Sequence, residues 1–197
     1  MAQLLTHNGI SVDPFPKLIW KFKYSFDFQA IKSLITELVA ETPRNSKLET
    51  GAAFSTASVK FDPPHTWPEL REFREWLHSP LHQVWTNHNY NPYATTSVLN
   101  SWINTHKKTG TTLEHSHSHV ALVVTAYLNL PKDSGFIEFR DPLEYHKHNT
   151  PVVPEEELWK EVPCETNDIL IFPGWLKHRV QPNKVDEDRV VLTMNIG

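Results

Sequence analysis

The apolar positions of the chain fall into two regimes, helical spacing in the first half and strand-like alternation in the second. Between Asp27 and Ala40, Ile31, Leu34, Ile35, Leu38 and Val39 recur at i, i+3, i+4, i+7 and i+8, which predicts an amphipathic helix capped by Ser25 or Asp27. The segment Pro14 to Phe22 alternates imperfectly and reads as an opening strand. Arg44 to Gly51 is a polar loop, and Ala52 to Phe61 reads as a strand stopped by Pro63-Pro64. Thr66-Trp67-Pro68-Glu69 predicts a capped helix start, after which Leu70, Phe73, Trp76 and Leu77 form one stripe. Ser79-Pro80 predicts a restart of that helix, with Leu81, Val84 and Trp85 continuing the apolar face as packing against a sheet.

From Thr95 the pattern changes to a period of two. Ser97 to Thr105 puts Asn100, Trp102 and Asn104 on one face of a strand and Leu99, Ser101 and Ile103 on the other. A polar turn over Lys107 to Thr112 leads into Glu114-His115-Ser116-His117-Ser118-His119, which runs straight into the Val-, Thr- and Tyr-rich stretch Val120 to Leu130. That composition favours a strand, so His115, His117 and His119 are expected to point the same way. A turn at Pro131 to Gly135 precedes a short strand, Phe136 to Phe139. Leu143 to Cys164 reads as a long loop, of a length that often serves as a lid. Asn167 to Phe172 is a strand, Pro173-Gly174 a turn, and Trp175 to Val180 carries His178. In the final strand, Arg189 to Ile196, the residues Arg189, Val191, Thr193 and Asn195 share a face. Two helices followed by at least six short strands fit a β-sandwich or jelly roll with helices on one side.

Composition narrows the picture. A chain of 197 residues is long enough to bury a sizeable core, and a single domain is the default. The net charge is −4 and no Lys/Arg run tracks a phosphate backbone, which disfavours nucleic acid as a partner. The one cysteine, Cys164, cannot form an internal disulfide, and no apolar run approaches a membrane span. With no signal-peptide pattern at the N-terminus, the expectation is a cytoplasmic protein without membrane contact.

The chemistry concentrates in the strand half. Neutral imidazole is the commonest protein ligand for mid-row divalent metals, and two histidines two residues apart on a strand can grip one ion. A third from a distant strand, His178, would close one face of its coordination sphere. Taken alone, a His-x-His is more often a pair of surface histidines; the downstream His178 and Arg189 change that balance.

The pieces Ser101-Trp102-Ile103-Asn104, His115-Ser116-His117, Tyr127-Leu128, Ser134 to Pro142, Phe172 to His178, and Arg189 through Ile196 appear in one order. As a set they resemble the 2-oxoglutarate- and Fe(II)-dependent oxygenases, over about residues 98–197. The resemblance implies a mainly β (α+β) double-stranded β-helix, cupin-like, with the N-terminal helices packed on one side. It implies one oxygenase-like domain over residues 1–197, with a helical support region up to about residue 95 and the metal-bearing core from about residue 96. It implies Fe(II) held by His115, His117 and His178. It further implies 2-oxoglutarate chelating the iron, with its far carboxylate on Arg189, whose fork matches a carboxylate bidentately. Asn104 and Tyr127 are placed to contact the same cosubstrate, and Asn195, on the Arg189 face, is a weaker candidate. The implied activity is hydroxylation of a protein side chain or a small metabolite, with 2-oxoglutarate and O2 converted to succinate and CO2. A homodimer stays open.

One departure stands out. Most relatives carry Asp or Glu where this chain has His117. Glu114 is expected on the opposite strand face, and Asp141 reaches the metal only if its turn folds inward. A His117/His119 pair competes with His115/His117. Two other readings stay open. Pro173-Gly174 followed by His178 and Asn183 is also similar to the second motif of cupins, although Ala121 and Leu122 stand where the first motif's glutamate belongs. Three histidines also suit Zn(II) in a non-enzymatic module.

Overall fold

The computed structural model describes residues 17–41, 48–58, 61–94, 96–143 and 155–197. Its two helices are α1 (Phe28–Glu41) and α2 (Arg71–Asn87). Its strands are β1 (Trp20–Lys23), β2 (Glu49–Thr50), β3 (Ala53–Ser55), β4 (Val98–His106), β5 (Thr111–His115), β6 (Leu122–Asn129), β7 (Ile137–Arg140), β8 (Trp159–Val162), β9 (Asp168–Pro173), β10 (His178–Val180) and β11 (Arg189–Ile196). They form a six-stranded sheet in the order β1-β9-β6-β11-β4-β3 and a five-stranded sheet in the order β2-β5-β10-β7-β8, and every pairing is antiparallel.

Alternation along β6 and β11 divides the interior into two apolar layers. Leu122, Val124, Ala126 and Leu128 pack with Leu192, Met194 and Ile196 against Ile31 and Ile35 of α1 and Phe73, Leu77, Leu81 and Val84 of α2. The opposite parity, Val123, Tyr127 and Val191, meets Ile137 and Phe139 of the second sheet. The helices thus cover the outer face of the large sheet and leave its inner face to line the space between the sheets. Among the described residues no helix is long and apolar enough to cross a membrane.

The elements depart from the sequence-based reading in four places. Asp27 caps α1, its Oδ1 accepting from the Ala30 N–H at 3.2 Å, but no side-chain cap opens α2; the Thr66 hydroxyl instead donates to the Pro63 carbonyl. Pro80 does not restart a helix; α2 runs through it. A mid-helix proline costs about 3 kcal/mol, and burying Leu77, Leu81, Val84 and Trp85 at roughly 1.5–3 kcal/mol each outweighs it. The strand expected over Ala52 to Phe61 ends at Ser55, where Thr56 Oγ1 accepts the Ile103 N–H that a continued ladder would have used. Within the expected 143–164 loop lies a strand, β8, paired to β7 with Trp159 beneath the Arg179 guanidinium at 4.2 Å. Residues 144–154 of that loop, which was read whole as a possible lid, lie outside the described residues, as does the start of the opening strand, residues 14–16.

Candidate metal and cosubstrate site

The histidine stretch is not one strand. β5 ends at His115, and the chain loops from residue 116 to residue 121 before β6 begins. His119 takes a left-handed backbone, with φ at 61°, and is exposed. Nitrogens of His115, His117 and His178 all lie within 4.8 Å of one another, and His119 is not among them. His115 and His178 are direct partners in the β5–β10 ladder. His117 sits on the loop, which a backbone bond from its N–H to the Gly174 carbonyl holds at 2.8 Å. Gly174 permits this closure, because a Cβ there would stand 2.3 Å from the Val120 carbonyl oxygen.

Each imidazole is oriented by a separate acceptor. His115 Nδ1 donates to the Leu113 carbonyl at 2.9 Å, His178 Nδ1 to the Leu176 carbonyl at 2.8 Å, and His117 Nδ1 to Asn195 Oδ1 at 2.7 Å. An Nδ1–H donor leaves Nε2 with a free lone pair, the tautomer a metal ligand needs. His117 Nε2 is buried without a protein partner. Burial pushes all three imidazoles below the usual histidine range, His117 to about 4 and His178 to about 3, the neighbouring histidines adding to it for those two. They are neutral near pH 7 and ready to coordinate. Trp102 stacks on His117 with ring centroids 5.8 Å apart.

The same cavity, about 260 Å³, is lined on its inner wall by Asn104, Thr125, Tyr127, Arg189 and Thr193. Arg189 is fully buried, and burial lowers its pKa. Among the described residues it has no acidic partner. Its Nη1 donates to His106 Nδ1 at 3.4 Å, and its guanidinium carbon lies 5.6 Å from the Tyr127 ring centroid. Arg189 Nε and Asn104 Oδ1 are buried with no hydrogen-bond partner, and the Tyr127 hydroxyl sits among Thr125, Cys164 and Arg189. A buried cation and a cluster of unmatched polar atoms cost free energy unless something fills them. Their chemistry, a guanidinium fork beside a phenol hydroxyl, matches a carboxylate. The residues present therefore fit a divalent metal at the three histidines and an acid at Arg189.

Sequence reasoning did not find His106. It is buried, donates through Nε2 to Thr112 Oγ1 at 2.9 Å and accepts from Arg189 through Nδ1. Burial and the Arg189 charge push its pKa down to about 3, so it stays neutral. The parity of β4, with His106 two residues after Asn104, was the signal available. Asn195 lines the cavity, but its resolved contact is with His117. Glu114 is turned away, paired with Lys177 at 3.2 Å and Arg140 at 3.5 Å. Asp141 Oδ1 accepts from the Leu143 N–H at 2.9 Å, and Asp141 does not line the cavity. Asn183 staples the loop before β11, donating to the carbonyls of His106 and Glu187, and takes no part in the site.

Residues 100–195 match the model of a family described as "Putative 2OG-Fe(II) oxygenase". No curated protein matches the sequence. Solved structures similar to this chain include the non-heme alpha ketoglutarate dependent epimerase SnoN from nogalamycin biosynthesis. It is 13% identical with a TM-score of 0.59, over 91% of this chain and 77% of that one. HygX from Streptomyces hygroscopicus, solved with nickel, 2-oxoglutarate and hygromycin B, is 13% identical with a TM-score of 0.57, over 91% and 82%. The viral collagen prolyl hydroxylase of Paramecium Bursaria Chlorella virus-1, solved with 2-oxoglutarate, is 12% identical with a TM-score of 0.57, over 91% and 96%. At these identities the likeness is one of fold: the two facing sheets form the double-stranded β-helix of 2-oxoglutarate oxygenases.

Proposed function

We propose that this protein is a 2-oxoglutarate- and Fe(II)-dependent hydroxylase, a reading supported by the match of residues 100–195 to the model of that oxygenase family. The observation that carries the cosubstrate is Arg189, a fully buried guanidinium with no acid beside it, at the inner end of the cavity that the three histidines share. His115, His117 and His178 would hold Fe(II), each through Nε2. Arg189 would take the distal carboxylate of 2-oxoglutarate, with the Tyr127 hydroxyl donating to it and Asn104 and Thr125 offering further polar contact. When bound, the iron and cosubstrate supply the oxidising chemistry, with 2-oxoglutarate and O2 going to succinate and CO2.

The protein's own residues do the positioning. Asn195 and the Leu113 and Leu176 carbonyls fix the imidazole planes. His106 holds the Arg189 fork and, being neutral, adds no charge to it. Trp102 walls one side of the histidines and limits water there. The rest of the chain acts as one oxygenase-like domain, in the cytoplasm, on a protein side chain or a small metabolite. A cupin enzyme without 2-oxoglutarate, or a zinc module, would have no use for a buried, unmatched Arg189. Calorimetric titration of 2-oxoglutarate into Mn(II)-loaded protein tests the reading. Saturable binding at one site per chain is expected; metal binding with no response to 2-oxoglutarate overturns it.

A further inference from the structure

A second cavity lies on the other face of the large sheet, behind the metal and cosubstrate site. Strand alternation separates the two. On β4, Asn104 and His106 line the first cavity, while Thr105 lines the second together with Lys107 just beyond the strand. On β11, Arg189 and Val191 line the first, while Val190 lines the second together with Asp188 just before the strand. The second cavity, about 750 Å³, opens between α1 and one end of β4, β11 and β6. Phe28, Lys32, Ile35, Thr36 and Val39 line it at helical spacing, so one face of α1 runs along it.

Three features set it apart from a packing gap. Phe28, Ile35, Val39 and Val190 give it an apolar wall. Thr105 is 3% exposed, and its Oγ1 is buried in that wall without a hydrogen-bond partner. A buried unpaired hydroxyl costs free energy that a polar atom of a bound molecule would recover. Both signs of charge also line the cavity, Lys32 and Lys107 on one hand and Glu187 and Asp188 on the other. Arg189 is the ladder partner of His106, so the next step of the same register sets Asp188 across from Lys107. Among the described residues, none of these four side chains forms an ion pair, although their chain neighbours Lys108 and Asp186 pair at 3.0 Å. The Lys107 ammonium lies instead 5.7 Å from the Phe54 ring centroid.

We propose that this cavity binds a small apolar zwitterion, with the chemistry of a free aliphatic or aromatic α-amino acid. Its carboxylate goes to the Lys107 ammonium and the Thr105 hydroxyl, its ammonium to Asp188, and its side chain against Phe28, Ile35 and Val39. A ligand with both charges on one carbon matches unlike charges set across neighbouring strands, and its apolar side chain matches the wall behind them. The site is independent of the metal and cosubstrate reading.

The test is ligand-observed NMR titration of L-phenylalanine into the full chain without added metal. Saturable binding is expected. 3-Phenylpropionate and phenethylamine, which each lack one charge, should bind about two- to fivefold more weakly. Thr105→Val keeps the shape and removes the hydroxyl; it should weaken phenylalanine about two- to tenfold. It should not lower the melting temperature of the free protein, because the hydroxyl it removes is unpaired. Lys107→Gln should weaken phenylalanine but not phenethylamine, which has no carboxylate to lose. Arg189→Ala should leave phenylalanine binding unchanged, which separates this cavity from the first. Absence of saturable binding overturns the site. Equal binding of phenylalanine and either single-charge analogue overturns the zwitterion. Wild-type affinity in both Thr105→Val and Lys107→Gln overturns the placement in this cavity.

Discussion

His115 and His178 face each other as direct partners in the β5–β10 ladder, their ring centroids 4.2 Å apart. Two of the three imidazoles are therefore placed by sheet register, and the third, His117, by a loop pinned to Gly174. Removing His178 leaves His115 and His117 too few to hold an ion firmly. His178→Ala should abolish binding of about one Fe(II), Mn(II) or Ni(II) per chain, whereas His82→Ala, on the exposed face of α2, should not. Equal metal uptake by the two variants would refute the assignment.

Under the proposed reading, the buried Arg189 holds the distal carboxylate of 2-oxoglutarate. A desolvated charge-assisted pair contributes roughly 1.5–3 kcal/mol, so Arg189→Ala should weaken 2-oxoglutarate about ten- to a hundred-fold or more while leaving Mn(II) binding in place. Arg189→Lys should recover part of the loss, because the charge returns without the fork. Unchanged affinity in Arg189→Ala would move the cosubstrate elsewhere.

Much of this geometry was legible in the sequence, and the reason is parity. Period-two alternation put Arg189, Val191, Thr193 and Asn195 on one face of β11, and Asn104 on the matching face of β4, before any coordinates. Parity says which way a side chain points, but not where a strand stops. The His115 to Leu130 stretch has strand composition throughout, yet the chain leaves the ladder after His115, and only the left-handed backbone at His119 shows it. Partners across the fold were also hidden. Nothing local ties Asn195 to His117 or His106 to Arg189, since each pair is about eighty residues apart and meets only when β4, β11 and the 116–121 loop come together. β8 was masked by its consecutive Lys160 and Glu161, both exposed, which break the apolar alternation of a buried strand.

His106 gives a pH dependence with a definite sign. Its folded pKa is about 3, against about 6.5 in the unfolded chain. Between those values the unfolded chain binds the proton and the folded protein does not, so stability falls as pH drops through that window. Its full benefit is present above pH 6.5. Glutamine can still accept from Arg189 and donate to Thr112, but does not titrate. His106→Gln should therefore shallow the fall of the metal-free protein's Tm between pH 6.5 and pH 4. Parallel Tm profiles for the variant and the wild type would show that His106 is not held neutral.

Asn195 accepts the His117 Nδ1–H at 2.7 Å and is the only side chain doing so for any of the three imidazoles. Losing such a partner typically costs ten- to a hundred-fold in metal affinity. Asn195→Leu should show that loss for Mn(II), with little change in 2-oxoglutarate affinity measured at saturating metal. A selective loss of 2-oxoglutarate instead would make Asn195 a cosubstrate contact, as its position on the Arg189 face first suggested.

The last prediction concerns His117 itself, where this chain departs from its relatives. A carboxylate lowers the charge on bound iron and stabilises its oxidised states; a third imidazole does so less well. The wild type should accordingly show little substrate-free conversion of 2-oxoglutarate to succinate. Aspartate is shorter than histidine, so in His117→Asp the ion or the loop must shift by about an ångström, within what the surrounding contacts can resist. The 116–121 loop is held outside any ladder, by the His117–Gly174 backbone bond and by the bonds of Ala121 to Gly174 and Ile196, so residues 118–120 between them are the part with room to move. His117→Asp should thus keep metal binding and raise succinate formation, while His117→Ala should lower metal affinity. His119→Ala should leave both nearly unchanged, since His119 is exposed and outside the cluster. Loss of metal in His119→Ala, with His115→Ala tolerated, would mean that the loop carries the pair two residues further along.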